Sequence, residues 1–287
     1  MAPVRFLAVG DVLVDVLSAE APRREERIHA PVTIRAGGSA ANAAVWASAL
    51  GASAAVVGRV GSDPAGELVA GALAGRGIEA NLARDPGAPT GVAIALGAGT
   101  SIASPGASAR LAPDDIPDPL EGDALLVSGF SLLQASSAPG ARAALERFAG
   151  RWAAVDLASP SLAAAAASHL EEMSAGANVV LATADEARAV TGFEPEDAAR
   201  ALGARFAVAC VKLGADGAVG VQGNQVEQAG IEPVVRRSAF GAGDAFAAAL
   251  LVALAAGESL DRALRLACET GARSAASEDG WPPVRAR

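Results

Sequence analysis

The stretch Ser238-Ala239-Phe240-Gly241-Ala242-Gly243-Asp244, followed by the Ala-rich run from Ala245 to Ala256, sets small residues and a carboxylate at the start of an expected helix. Small side chains at Gly241, Ala242 and Gly243 let a ligand approach the backbone closely, and the helix behind them offers unpaired N–H groups and the positive end of its dipole. Such an end is an anion site. Asp244 falls in its first turn, beside whatever negative group is held there, where a neighbouring hydroxyl could give up its proton. Phosphoryl transfer to an alcohol asks for this arrangement. The same residues also read as a tight glycine turn with an acidic first-turn residue, so the rest of the chain must decide.

Two further constellations bear on the choice. Asp11 and Asp15 are four apart across Val12-Leu13-Val14, and if the segment is extended both point to one face. They could receive sugar hydroxyls, or they could be solvated loop or edge-strand acids. Gly37-Gly38-Ser39-Ala40-Ala41-Asn42 opens an expected helix with exposed backbone amides, and Asn42 brings a donor and an acceptor into its first turn. A plain glycine turn would look the same.

The elements that must position these residues follow a βαβ rhythm. Residues 5–10 read as a buried first strand of a parallel sheet ending at Gly10. Residues 20–36 are polar, alternate weakly through Ile28, Val32 and Ile34, and are expected as a loop or short sheet outside the core. The helix after Gly38 turns Val45, Trp46, Ala49 and Leu50 inward and stops at Gly51. A strand over 54–60 leads to a helix capped by Ser62 or Asp63 before Pro64. Segments 91–96 and 101–104, joined by Gly97-Ala98-Gly99-Thr100, form an expected hairpin, which inside a βαβ chain suggests a lid.

After the Pro-rich connector 111–119, strands are expected at 124–128, 153–156, 179–182, 207–212 and 217–221, with helices at 138–148, 185–191 and 197–202. Residues 226–235 read as sheet leading into the Gly241 loop. Phe246, Leu250, Leu251 and Leu254 line the helix behind that loop, and Leu260, Ala263, Leu264 and Ala267 line the next, with Gly257 and Ser259 as stop and start.

Composition excludes several classes. A formal charge of −9 argues against nucleic acid or an anionic membrane as partner, while leaving room for a local phosphate site. Few aromatics and no Tyr leave no stacking platform for RNA bases. Cys210 and Cys268 lack ligand spacing and are expected as buried small hydrophobes, and His29 and His169 as surface or loop residues. Lys212 is the only lysine and lies outside any Gly-Lys-Ser/Thr loop, so a Walker A site is absent. With no Gly-x-Gly-x-x-Gly after a strand, a dinucleotide fold is unsupported, and phosphate must be held, if at all, by helix N-termini. No leader and no membrane-spanning run is seen, and a soluble cytoplasmic protein is expected.

At this point the residues carry a resemblance. The stretch from Gly37 to Asn42, continued by Val60-Gly61-Ser62-Asp63-Pro64-Ala65-Gly66, resembles the N-terminal signature of the ribokinase-like (PfkB-type) carbohydrate kinases, and Gly241-Ala242-Gly243-Asp244-Ala245-Phe246 resembles the C-terminal one. The likeness runs nearly end to end. It implies a single ribokinase-like α/β domain over 1–287, a mostly parallel central sheet flanked by helices in three layers (αβα), and a small β-sheet lid formed by about 12–36 and 88–109. It implies Asp244 as the base, the amides of Gly241, Ala242 and Gly243 as an anion hole, and Asp15, Gly38 and Asn42, with Asp11, as holders of sugar hydroxyls. Glu186 matches the acid of an Asn-x-x-Glu motif that organises magnesium through water. Thr183, Lys212, Gly214 and Gly217 fall where ATP is bound.

The sequence also departs from the family pattern. Thr183 replaces the Asn of that motif, Lys212 replaces a common Thr and could reach phosphates or be a solvated strand-end lysine, and Ser238-Ala239-Phe240 replaces Asp-Thr-x. The last change removes a carboxylate associated with a monovalent cation and puts potassium activation in doubt. Asp156-Leu157-Ala158-Ser159-Pro160 lacks the usual Asn and Arg.

The function implied is an ATP- and Mg2+-dependent kinase acting on a hydroxyl of a small sugar or sugar-like molecule. Its alternatives are a nucleoside kinase of the same fold and a catalytically silent sugar- or nucleotide-binding protein, with a hydrolase on a similar core ranking last for want of a nucleophile motif. Exposed apolar lid residues such as Val92, Ile94 and Ile102 could pair with a second subunit as a homodimer, or close over the substrate.

Overall fold

The computed structural model of the chain describes residues 2–23, 26–97, 100–167, 173, 175–237, 240–278 and 280–283. His169, Ser238, Ala239 and the centre of the expected turn at 98–99 lie outside them. In the first half the elements are β1 (Arg5–Val9), β2 (Leu13–Ser18), β3 (Thr33–Gly37), α1 (Ser39–Ala49), β4 (Ser53–Gly61), α2 (Pro64–Ala74), β5 (Glu79–Asp85), β6 (Thr90–Leu96) and β7 (Thr100–Gly106). The second half runs through β8 (Ala124–Ser128), α3 (Gly129–Leu133), α4 (Ala138–Arg147), β9 (Trp152–Asp156), α5 (Pro160–Ala166), β10 (Val179–Thr183), α6 (Ala184–Thr191), α7 (Pro195–Gly203), β11 (Val208–Lys212), β12 (Ala218–Gln222), β13 (Gln225–Ala229), α8 (Ala242–Ala255) and α9 (Leu260–Ala276).

A nine-stranded sheet in the order β13-β12-β11-β10-β9-β8-β1-β4-β5 forms the centre. The strands from β11 to β5 run parallel, and β12 and β13 close the edge antiparallel. Strand periodicity divides the core into two faces. Phe6 and Ala8 join Val56, Leu126, Trp152 and Leu181 in one apolar layer with α1, α8 and α9, while Leu7 and Val9 join Val57, Val127, Val155 and Val180 in the other with α4 and α7. The result is the expected α/β fold of three layers. Because α1, on the path from β1 through the small sheet to β4, packs on one face and α4, on the path from β8 to β9, packs on the other, β1 and β8 flank the point where the winding reverses. Ligands in open α/β sheets bind at the carboxyl ends beside such a point.

Helix α8 is buried on nearly every side from Ala245 to Leu254, which fits a helix apolar all round. Its alanines let α1 and α9 lie against it. Trp152 on β9 donates its indole N–H to the Leu254 carbonyl at 3.1 Å, tying the far end of α8 to the sheet.

The two segments expected as a lid build one sheet of four strands in the order β3-β2-β6-β7, with β2 and β6 parallel and the outer pairs antiparallel. The loop-or-sheet reading of 20–36 resolves into β3, and its Ala36 is buried in the core rather than outside it. The cap of α2 is Asp63 and not Ser62. Its carboxylate accepts from Gly66 N at 2.8 Å, Thr90 N at 2.7 Å and Thr90 Oγ1 at 2.6 Å, so one side chain ties α2 to the base of β6.

One expected element is shorter than the sequence suggested. Sheet over 226–235 is confined to β13, because Gly230 follows it and Pro233 has no N–H to give a ladder; Val234 and Val235 are exposed. Cys210 and Cys268 are buried and His29 is exposed, as expected. The three bonds to Asp63 hold its carboxyl below the ordinary value of 3.8, the Thr90 hydroxyl contributing most. Asp63→Ala should therefore cost about 2 kcal/mol in denaturant unfolding above that pH, and the difference from wild type should shrink as pH falls below it, since a depressed folded-state value stabilises only the ionised form.

Candidate active site

The carboxyl ends of five neighbouring strands converge on the reversal point. Asp11 follows β1, Ser128 ends β8, Asp156 ends β9, Thr183 ends β10 and Lys212 ends β11. Ser128 donates its hydroxyl proton to Asp11 Oδ2 at 2.7 Å across the reversal itself. Asp11 and Asp15 are 8% and 2% exposed, which overturns the reading of them as solvated acids. Their neighbours differ. Asp15, on β2, is paired with Arg35 on β3 at 2.7 Å, and burial raises its carboxyl to about 6 against the pull of that guanidinium. Gly37 and Gly38 are glycines for a spatial reason: a Cβ at the first would collide with the Asp15 carboxylate and at the second with the Asp11 carbonyl.

The mouth of α8 faces these acids. Gly241 caps it at φ 97°, and the first helical bond runs from Ala245 N to Gly241 O at 2.8 Å. The amides of Ala242, Gly243 and Asp244 precede intrahelical pairing and carry the positive end of the dipole. Asp244 is half-buried beside them, and Asn42 Nδ2, from the first turn of α1, donates to its Oδ2 at 2.8 Å. Desolvation raises the Asp244 carboxyl to about 7, with Asp156 and Asp15 adding to the rise and Asn42 and Lys212 opposing it. A carboxylate that takes a proton near neutrality suits a general base.

Lys212 is neither solvated nor isolated. Its side chain is 12% exposed, and Nζ donates to both oxygens of Asp156 at 2.6 and 2.8 Å. Burial alone would depress the ammonium, but Asp156 and Glu186 outweigh it and hold the group above its ordinary range. The same Nζ lies 3.5 Å from where a Cβ at Gly243 would stand, so the cation sits beside the α8 mouth. Thr183 and Glu186 form a reciprocal cap on α6: Glu186 Oε2 accepts from Thr183 N at 2.8 Å and Thr183 Oγ1 accepts from Glu186 N at 3.3 Å. Thr183 thus serves as the cap of α6. Glu186 is buried, and desolvation lifts its carboxyl to about 7 despite Lys212. Gly214 opens a short turn with free space around it, whereas Gly217 is demanded by the close approach of the Ala229 carbonyl on β13.

The structure thus gathers Asp244, Asn42, Gly241, Ala242, Gly243, Lys212 and Glu186 around one mouth, with Asp11, Asp15 and Gly38 beside it and Gly214 and Gly217 on the turn after β11. Sequence reasoning passed over three participants: Asp156, Arg35 and Trp281. Trp281 Nε1 donates to Asn42 Oδ1 at 2.6 Å. Its signal was faint, one of three tryptophans in a chain poor in aromatics, lying just before two prolines.

A model of the pfkB family carbohydrate kinases matches residues 5–283. A 2-dehydro-3-deoxygluconokinase of Thermoproteus tenax is 30% identical over 294 residues, covering 94% of this chain and 88% of that protein. A fructokinase of Klebsiella pneumoniae is 30% identical over 273 residues, covering 88% and 85%. Among solved structures, an adenosine kinase from Sinorhizobium meliloti superimposes with a TM-score of 0.87 at 24% identity, covering 98% of this chain and 96% of that one. Among the described residues no helix is long and apolar enough to cross a membrane, and no group of three or more His, Cys, Asp or Glu side chains could hold a metal ion unaided. The electrostatics of the mouth predict that the carboxyl carbon of Asp244, identified in a 13C titration by its loss in Asp244→Asn, changes protonation at about 7; a midpoint near the ordinary Asp value of about 4 would contradict the burial argument.

Proposed function

Since a family model spans nearly the whole chain and two relatives match most of it at 30% identity, the chain belongs to the pfkB family of carbohydrate kinases, and from that membership we propose that it transfers the γ-phosphoryl group of ATP to a hydroxyl of a small sugar or sugar-like acceptor, with Asp244 as general base. That it is a sugar or nucleoside kinase, a phosphotransferase with an alcohol acceptor, follows from the family. The names of the two relatives support a sugar. The observation that carries the reading is the meeting of Asp244, raised to about 7, with unpaired amides at the start of α8.

Family membership implies ATP as the donor. In this reading the amides at Gly241, Ala242 and Gly243 neutralise charge on the transferring phosphoryl oxygens. Lys212, already beside Gly243, adds a fixed positive charge, and Thr183, Gly214 and Gly217 border the nucleotide. Asp15, Gly38 and Asn42, with Asp11, orient the acceptor while Asp244 takes its proton. Glu186 would hold magnesium, which would supply charge screening for the phosphates. Glu186 suits it through water, being a buried carboxyl whose raised value a divalent cation would lower. The small sheet over the acceptor is read as a lid. In register across it, Ile34, Val16, Ile94 and Ile102 form one row, with Ile34 and Ile102 61% and 69% exposed. That row supports dimerisation through the lid.

Asp244→Asn should keep the fold and remove at least ~100-fold of turnover. Full activity in that variant would refute the base. A panel of sugars and nucleosides assayed for ADP release decides the acceptor, and ligand binding without ADP from any of them would favour a silent binding protein. Wild-type kcat/KM should rise with pH through about 7, because the base acts only when ionised. For the dimer, Ile102→Glu should convert the sedimenting species to monomer; an unchanged mass would exclude the lid as the interface.

A further inference from the structure

Residues 280–282, after α9, lie against the site. Gly280 O accepts from Trp46 Nε1 on α1 at 2.9 Å and from Ser274 Oγ on α9 at 2.8 Å, and Arg76, just beyond α2, donates to Pro282 O at 2.9 Å. Between these anchors Trp281 is 7% exposed, with the guanidinium carbons of Arg76 and Arg35 at 4.7 and 5.4 Å from its ring centroid. The ring thus lies beside two guanidinium groups, its backbone neighbours are anchored on both sides, and its N–H reaches Asn42.

We propose that Trp281 is a positioning residue for the general base: its indole N–H fixes the Asn42 side-chain amide so that Nδ2, and not Oδ1, faces Asp244. The proposal rests on the reading of Asp244 as base. An indole nitrogen can only donate, so the amide atom turned toward it at 2.6 Å must be the oxygen, which leaves the NH2 to meet Asp244 at 2.8 Å. This settles the orientation of an amide whose two ends are otherwise interchangeable. The orientation matters chemically. An N–H donor favours the ionised carboxylate, whereas an amide turned the other way would accept from a protonated Asp244 and hold it in the form unable to take a proton from the acceptor. The other groups that bear on Asp244 are Asp15 from β2, Asp156 from β9 and Lys212 from β11, with Arg35 on β3 paired to Asp15. None of them is removed by a change at Trp281.

Trp281→Phe keeps a ring between the two guanidinium groups and deletes only the donor. It should move the acid limb of kcat/KM upward by roughly half to one pH unit, the scale of one hydrogen bond, so that activity falls about 3- to 10-fold below neutrality and returns to the wild-type level well above it. In an Asn42→Leu background the same change should shift nothing further, since the relay is already cut. Arg76→Met, which loosens the tail but leaves the indole N–H, should lower the melting temperature without moving the limb. An unshifted limb in Trp281→Phe, with Asp244→Asn inactive, overturns the positioning role alone. An equal shift in Arg76→Met also overturns it, because general packing would then suffice. Activity in Asp244→Asn instead removes the base on which the proposal rests. Should Trp281→Phe fail to fold, the wild-type protein still decides: the Asn42 side-chain amide protons, assigned by their loss in Asn42→Leu, must follow the titration of Asp244, and their indifference to it overturns the proposal.

Discussion

Lys212 places one ammonium among the carboxylates of Asp156, Glu186 and Asp244, at the point where the sheet's carboxyl ends meet the mouth of α8. Buried acids in such number would repel one another and desolvate at great cost without it. The cation offsets this only in part, and the residue of the imbalance is visible in the raised carboxyls of Glu186 and Asp244. In the proposed reading Asp244 is the one that must exchange a proton. The chain has no other lysine, and the partner of Lys212, Asp156, lies on the parallel strand next but one; a second cation beside these acids is Arg35, paired with Asp15.

The same arrangement gives Lys212 a place that its position in the sequence did not: Asp156 closes β9, Lys212 closes β11, and in space the two are one ion pair. Thr183 is similar, being a reciprocal helix cap with Glu186 that holds the acid's backbone and side chain in place.

What could be read from the sequence was what is local. The glycines and carboxylate at 241–244, the helix starts at Gly38 and Pro64, and the alternation of buried strands with helices all leave their mark within a dozen residues. Most elements of the large sheet therefore appear where the pattern put them, apart from β5, whose residues Glu79 to Asp85 carry mixed polarity because they sit at the sheet edge. What stayed hidden was pairing across long stretches of chain. Asp156 with Lys212, Asp15 with Arg35 inside the small sheet, and above all Asn42 with Trp281 join residues whose separation has no period to betray it. A tryptophan near the chain end reads as nothing until Trp46, Ser274 and Arg76 are seen to fold the segment back.

That folded-back segment also makes one helix answer to a distant part of the chain. Trp46 and Asn42, both on α1, are bonded to Gly280 and Trp281 across 234 and 239 residues, so loosening the segment 280–283 would free the first turns of α1 and the Asn42 contact with Asp244 together.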